Sequence, residues 1–131
     1  MRKGTETILL VEDEEAVRML ARMVLQSNGY KVLEARHGED ALSIAAGHAG
    51  PIDILVSDVL MPRMGGRQLA ARLAEARPNL RVLFMSGYGD DGAPERGPEE
   101  PLAAFIGKPF SPQELARRVR QVLDGDLDRD R

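Results

Sequence analysis

The sequence predicts a doubly wound α/β domain built on a five-stranded parallel sheet. Short apolar runs alternate with stretches of helical period, glycine or proline marks the junctions, and the strand-like runs end in polar or acidic residues. Ile8–Val11 is a continuous apolar run, the pattern of a strand covered on both faces. A helix follows over Glu14–Asn28, with Val17, Leu20, Ala21, Val24 and Leu25 at i, i+3, i+4, i+7 and i+8 on one face, and Gly29 stops it. Lys31–Ala35 is the second strand, Gly38–His48 the second helix, closed by Gly50-Pro51, and Ile52–Ser57 the third strand. Arg67–Arg77 is the third helix, with Leu69, Leu73 and Ala76 on one side and Pro78 ending it. Arg81–Met85 and Leu102–Ile106 are the fourth and fifth strands. Ser111-Pro112-Gln113-Glu114 opens the last helix with a cap, a proline at the first helical position and a glutamate at the third; Leu115, Val119 and Val122 line its inner face.

One segment departs from the alternation. A helix is due between Met85 and Leu102, yet Gly89, Gly92, Gly97, Pro94, Pro98 and Pro101 occupy that stretch, with no apolar stripe. An interior glycine costs about 1 kcal/mol and an interior proline about 3 kcal/mol in a helix. The expectation is a degenerate fourth helix of at most one turn. The polar tail at 125–131 is expected to fray, leaving one domain over 5–124.

Composition narrows the function classes. The chain has 131 residues, 43% of them hydrophobic and 30% charged, as in an ordinary globular domain with one core. A net charge of −3 provides no basic footprint, so no nucleic-acid partner is expected. No apolar stretch approaches the roughly 20 residues of a membrane span, and Met1–Thr5 lacks the apolar core of a signal peptide. No membrane contact and a cytoplasmic location are expected. Without cysteine there is no disulfide and no thiolate metal site.

The chemistry-bearing residues fall at strand ends. Glu12 and Asp13 follow the first strand and Asp58 the third. In open α/β sheets the carboxyl ends of the strands form the ligand crevice, so neighbouring strands deliver three carboxylates to one place. Such a cluster raises its own pKa values unless a cation neutralises it. Oxygen ligands that leave room for water suit Mg²⁺, with Asp58 free to do chemistry.

With Ser86-Gly87 after the fourth strand and Lys108-Pro109 after the fifth, the chain resembles a receiver domain of bacterial two-component signalling. The resemblance implies a flavodoxin-like sheet of strand order 2-1-3-4-5. It implies that Asp58 accepts a phosphoryl group from a phosphohistidine of a histidine kinase or a histidine phosphotransfer domain, or from a small phosphodonor. Asp13, Asp58 and the Leu60 carbonyl would hold Mg²⁺, with Glu12 acting through water. Lys108 would pair with Asp58 at rest and with a phosphoryl oxygen afterwards, Ser86 would donate its hydroxyl to another, and Gly87 would leave room. The Lys108–Pro109 bond is expected to be cis. Phe105 matches the aromatic whose rotation accompanies inward movement of Ser86, and Tyr88 is a second aromatic at the mouth of the site. A weak homodimer through the surface around the fourth helix, fifth strand and last helix is a further implication. Catalysis in such a site is positioning plus electrostatics, so the domain assists its own phosphorylation and dephosphorylation rather than acting as an enzyme on a separate substrate.

Taken singly, each residue has a plainer reading: Asp13 a helix N-cap, Asp58 and Ser86 turn residues, Lys108 a solvated lysine, Phe105 core. Their joint placement at strand ends carries the functional one. His37 and His48 read as surface histidines near helix termini. The runner-up function is a Mg²⁺-dependent phosphatase forming an aspartyl-phosphate, similar to haloacid-dehalogenase-like enzymes. Those place a second acid two residues after the nucleophile, where this chain has Leu60. A nucleotide-binding domain would need a glycine-rich turn after the first strand, where Val11–Glu15 would repel phosphates. No output domain is expected after the last helix, so the chain is read as a stand-alone regulator or the C-terminal receiver of a hybrid histidine kinase. The segments Gly4–Glu14 and Leu83–Tyr88 are more similar to hybrid-kinase receivers.

Overall fold

A computed structural model of the chain describes residues 4–87 and 103–125. The elements are β1 (Thr7–Val11), α1 (Glu15–Ser27), β2 (Lys31–Ala35), α2 (Gly38–Gly47), β3 (Ile54–Asp58), α3 (Gly66–Ala76), β4 (Arg81–Ser86), β5 (Ala103–Gly107) and α4 (Pro112–Asp124). The five strands pair in parallel in the order β2-β1-β3-β4-β5. Fold class and strand order are as expected. The degenerate helix expected within Gly89–Pro101, the residue Tyr88 and the tail from 126 onward lie outside the described residues.

Alternation along each strand feeds two apolar layers. Leu9, Val11, Leu55 and Phe84 pack with Leu69 and Leu73 of α3 and Ala41 and Ala45 of α2. Ile8, Leu10, Ile54, Val56 and Leu83 face the other way, onto Leu25 of α1 and Leu115, Val119 and Val122 of α4. Each fully buried leucine or isoleucine contributes ~1.5–3 kcal/mol, so the buried strands β1, β3 and β4 are firmly held.

Several boundaries and faces differ from the expectation. β3 starts at Ile54 rather than Ile52, because Asp53 is engaged at the sheet's amino edge: its Oδ2 accepts from the Thr7 N–H at 2.8 Å and its own N–H donates to the Thr7 carbonyl at 2.9 Å. β3 also runs one residue further, so Asp58 is its last residue, level with Met85. In α1 only Ala21 and Leu25 are fully buried, and Leu20 is 45% exposed. Successive residues turn by about 100° around a helix axis, and the helix seats on the Ala21–Leu25 line, which throws Leu20 onto the flank. Ala76 in the last turn of α3 is exposed too. Among the described residues, no helix is long and apolar enough to cross a membrane.

Some helix ends are closed by side chains and others by glycine. Ser111 and Glu114 form the expected capping box, at 3.1 Å and 2.9 Å. Gly29 ends α1 at φ +96°, and a side chain there would strike the Gly4 carbonyl oxygen at 2.4 Å. The histidines are more than surface groups: half-buried His37 is the N-cap of α2, its Nδ1 accepting from the Asp40 N–H at 3.1 Å, and His48 is the C-cap. Arg77 completes that end by donating to the carbonyls of Ala45, His48 and Gly50 at 3.0–3.1 Å.

Candidate functional site

Parallel pairing brings the carboxyl ends of β1, β3, β4 and β5 to one edge of the sheet. Val11 is level with Ser57, so Glu12 lies beside Asp58. Ser86 is level with Gly107, and the Lys108 N–H donates to the Ser86 carbonyl at 2.8 Å, which fixes where the lysine leaves β5. The Lys108–Pro109 bond is cis. One carboxylate oxygen from each of Glu12, Asp13 and Asp58 lies within 4.8 Å of the others. Glu12 is fully buried, Asp58 is 4% exposed and Asp13 is exposed.

The two buried carboxylates have opposite surroundings. Glu12 Oε1 accepts from the Glu14 N–H at 3.0 Å, and Oε2 accepts from Lys108 Nζ at 3.0 Å. Arg18 Nη1 donates to the Glu12 carbonyl at 2.8 Å. Asp58 Oδ1 lies 2.8 Å from Lys108 Nζ, an ion pair whose direction falls outside hydrogen-bond geometry, so both Asp58 oxygens are buried without a directional donor. Burial first, and then the Glu12 carboxylate beside it, push the Asp58 carboxyl up to about 8 against the opposing pull of Lys108. Burial would raise Glu12 as well, but the neighbouring Asp58 carboxyl and the hydrogen bonds from the Glu14 N–H and Lys108 outweigh it and hold Glu12 low. Burial opposes the charge on Lys108, yet its two carboxylate partners keep it protonated well above the usual lysine range. The two neighbouring acids are thus driven in opposite directions, Asp58 toward its neutral form and Glu12 toward its charged form.

That arrangement fits a divalent cation. The Asp58 carboxylate, which accepts no hydrogen bond and has only the Lys108 ion pair, lies within reach of the exposed Asp13 carboxylate, while Glu12 already has both oxygens engaged. Hard oxygen donors with an open solvent side are the donor set Mg²⁺ takes.

The backbone at Asp58 is held on two sides. The Val59 N–H donates to the Met85 carbonyl at 3.0 Å, and the Gly66 N–H donates to the Val59 carbonyl at 2.8 Å. A side chain at position 66 would lie 2.1 Å from the Asp58 carbonyl oxygen, so α3 reaches the strand end only because its first residue is glycine. Leu60 follows with its side chain 59% exposed.

Glu12, Asp13, Asp58 and Lys108 are thus assembled as a cluster. Ser86 and Gly87 stand half-buried at the end of β4. Tyr88 lies outside the described residues. Phe105 stands apart from the carboxylates; its ring meets Phe84 at 5.4 Å between centroids. Sequence reasoning missed Arg18, which fastens the Glu12 backbone, and Arg67, whose guanidinium lies over the Phe84 and Phe105 rings. It also passed over Gly65-Gly66. A glycine pair a short turn after an acidic strand end signals close backbone approach; the arginines carry no such signal.

A parallel α/β sheet with a buried, unsatisfied aspartate, acidic neighbours and a lysine at its carboxyl edge defines a phosphoacceptor signalling domain. The chain belongs to the response regulator receiver domain family, whose sequence model matches residues 8–120. It is similar to sensor kinase CckA of Brucella abortus, at 44% identity over 121 residues, covering 92% of this chain and 13% of the kinase. It is 32% identical over 124 residues to transcriptional regulatory protein ResD of Bacillus subtilis, covering 94% of this chain and 50% of that protein. The chain thus spans half or less of these relatives' length. The solved receiver domain from hybrid histidine kinase CckA superposes with a TM-score of 0.74 at 40% identity, over 89% of this chain and 98% of that one. Chemotaxis protein CheY4 of Vibrio cholerae does so with a TM-score of 0.80 at 25% identity, over 91% and 99%.

Proposed function

We propose that the unit over 5–124 accepts a phosphoryl group on Asp58, with Mg²⁺ required, from the phosphohistidine of a histidine kinase or histidine phosphotransfer domain. The observation that carries this is the Asp58 carboxylate, buried and without a directional donor beside Lys108. In the transfer an Asp58 oxygen attacks phosphorus, the P–N bond to the donor imidazole breaks, and the imidazole nitrogen takes up a proton. Mg²⁺, when bound by Asp13, Asp58 and the Leu60 carbonyl, supplies positive charge against the transferring oxygens. Glu12, with both oxygens occupied, orients Lys108 and contacts the metal only through water. Lys108 neutralises Asp58 before transfer and a phosphoryl oxygen after it. Ser86 donates its hydroxyl to another phosphoryl oxygen, and Gly87 leaves the space that group needs. The domain speeds only its own phosphorylation and dephosphorylation, and inward movement of Ser86 lets the Phe105 ring turn and alters the outer surface.

A protein donor must reach this edge, and apolar surface lies beside it. Met19, Leu20 and Met23 stand exposed on the outer side of α1, and Val17 and Leu20 line a cavity of about 290 Å³ with Lys108, Pro109 and Phe110. Similarity to the CckA receiver favours a cytoplasmic receiver belonging to a hybrid histidine kinase. The test is intact-mass measurement of the chain with acetyl phosphate and Mg²⁺. The natural protein gains one phosphoryl group and Asp58→Asn gains none; full labelling of the variant would sink the assignment.

A further inference from the structure

The guanidinium carbon of Arg67 lies 5.6 Å from the ring centroid of Phe84 and 5.5 Å from that of Phe105. The two rings are register partners on β4 and β5, tilted by 36°. One cation therefore covers two aromatic faces, each of which attracts it through the ring quadrupole. The other end of this contact reaches the acceptor. Arg67 follows Gly66, whose N–H is bonded to the Val59 carbonyl and which packs so close to the strand end that a side chain there would lie 2.1 Å from the Asp58 carbonyl oxygen. Val59 in turn is bonded to Met85, the residue after Phe84. The first turn of α3 is thus seated on the backbone of Asp58 and Val59, and its second residue grips the ring pair.

Phe105 itself is half-buried, and its ring has no polar group to choose an orientation. Its backbone is held instead, the carbonyl accepting from Arg118 Nη2 at 3.0 Å. The strand is fixed and the ring is what remains selectable. We propose that Arg67 is a positioning residue that holds Phe105 against Phe84 in the unmodified domain and ties that orientation to the seating of α3 on Asp58–Val59. This rests on Phe105 being the switching aromatic, as read above. If the ring turns away, Arg67 keeps one aromatic partner instead of two. A shift of the Asp58–Val59 backbone moves Gly66 and loosens the grip.

The chain has three phenylalanines, so 4-fluorophenylalanine labelling yields three ¹⁹F resonances, assigned by single Phe→Leu variants. Spectra are taken of the natural protein, Arg67→Met and Arg67→Lys, each without and with Mg²⁺ and beryllofluoride as phosphoryl mimic. Arg67→Met keeps apolar bulk and removes the cation; Arg67→Lys keeps the cation. In the natural protein the mimic moves the Phe105 line. In Arg67→Met without the mimic, that line already sits part-way to the mimic position, an increase of about two- to fivefold in the turned population. The Phe110 line stays in place, and Arg67→Lys restores much of the natural position. A natural Phe105 line that moves with the mimic, with an Arg67→Met line at the natural position, overturns the clamp alone. A natural line that ignores the mimic overturns the switch reading and the clamp with it.

Discussion

Charged residues cluster at both ends of the sheet, and the two clusters are built on opposite terms. At the amino edge Arg120 donates to Glu6 at 2.8 Å and 3.3 Å, to Asp124 at 2.9 Å and to the Tyr30 hydroxyl at 3.3 Å, and lies over the Tyr30 ring. The hydrogen bond from Arg120 holds the Glu6 carboxyl below its usual range, and Arg120 is raised in turn. At the carboxyl edge Glu12 is equally well served, but Asp58 is buried without a directional donor and pushed up to about 8. Both clusters pair acids with a cation. What separates them is the count of donors against acceptors and the access of water. Where donors match acceptors, charge joins α4 to the residues that lead into β1 and β2 and stabilises the fold. Where a buried acceptor is left over, the fold bears a cost that a metal or a phosphoryl group can relieve.

The sharpest test of that contrast is Asp58→Asn. Beyond the complete loss of phosphoryl labelling, the metal-free variant is expected to melt a few degrees higher than the natural protein near pH 8, because a buried charge becomes neutral. The sign follows from linkage: Asp58 has a folded pKa above its unfolded one, so its contribution is fully present below about pH 4 and is lost as pH rises toward about 8. The melting temperature of the natural metal-free protein should fall across that window more steeply than that of the variant. Parallel pH profiles would break the comparison.

Metal comes next in size. EDTA should abolish most labelling by acetyl phosphate. Mg²⁺ at 100 times its dissociation constant should stabilise the domain by about 2.7 kcal/mol. The apparent Mg²⁺ affinity should rise with pH toward about 8, since the proton on Asp58 must leave for the cation to bind. Asp13→Ala should remove most of the thermal shift. A labelling rate untouched by EDTA would overturn the metal role.

A smaller effect is expected at the flank. Leu20→Glu places a charge on the exposed apolar side of α1 beside Lys108 and Pro109. Phosphotransfer from a cognate phosphohistidine protein should slow by about tenfold, the cost of burying a charge at an interface, with acetyl phosphate labelling unchanged. Equal loss with both donors would place the defect in the site instead. Leu60→Asn is expected to shorten the life of the phosphorylated state a few-fold, since a polar side chain at the mouth admits water more readily than the apolar one. Decay followed by mass after phosphodonor removal reads this directly.

The amino edge supplies the smallest effect on chemistry. Arg120→Ala should leave labelling unchanged while costing about 1–2 kcal/mol of stability, at the low end because its partners are partly solvated. The variant should also lose some acid sensitivity. Glu6, with a depressed pKa, contributes stability that is present above its unfolded pKa and lost as pH falls through the folded one. The two substitutions, Asp58→Asn and Arg120→Ala, each delete a charge and should move metal-free stability in opposite directions.

The alternation of strand and helix, the cap at Ser111, the stop at Gly29 and the carboxylates at strand ends were legible because they depend on neighbours in the chain. Periodicity, capping and turn chemistry act over a few residues, so a single sequence displays them directly. Strand order and the cis bond at Lys108–Pro109 came through the family resemblance, not through periodicity. What only the tertiary structure decided is the unequal fate of Glu12 and Asp58. Two acids with the same sequence signature became one satisfied carboxylate and one left over, because Lys108 arrives from 96 residues beyond Glu12 and can serve only one of them with good geometry. The outward stripe of α1 and the Arg67 grip on two rings were decided in the same way. Both depend on how elements distant in the chain seat against one another, and short-range pattern carries no information about that.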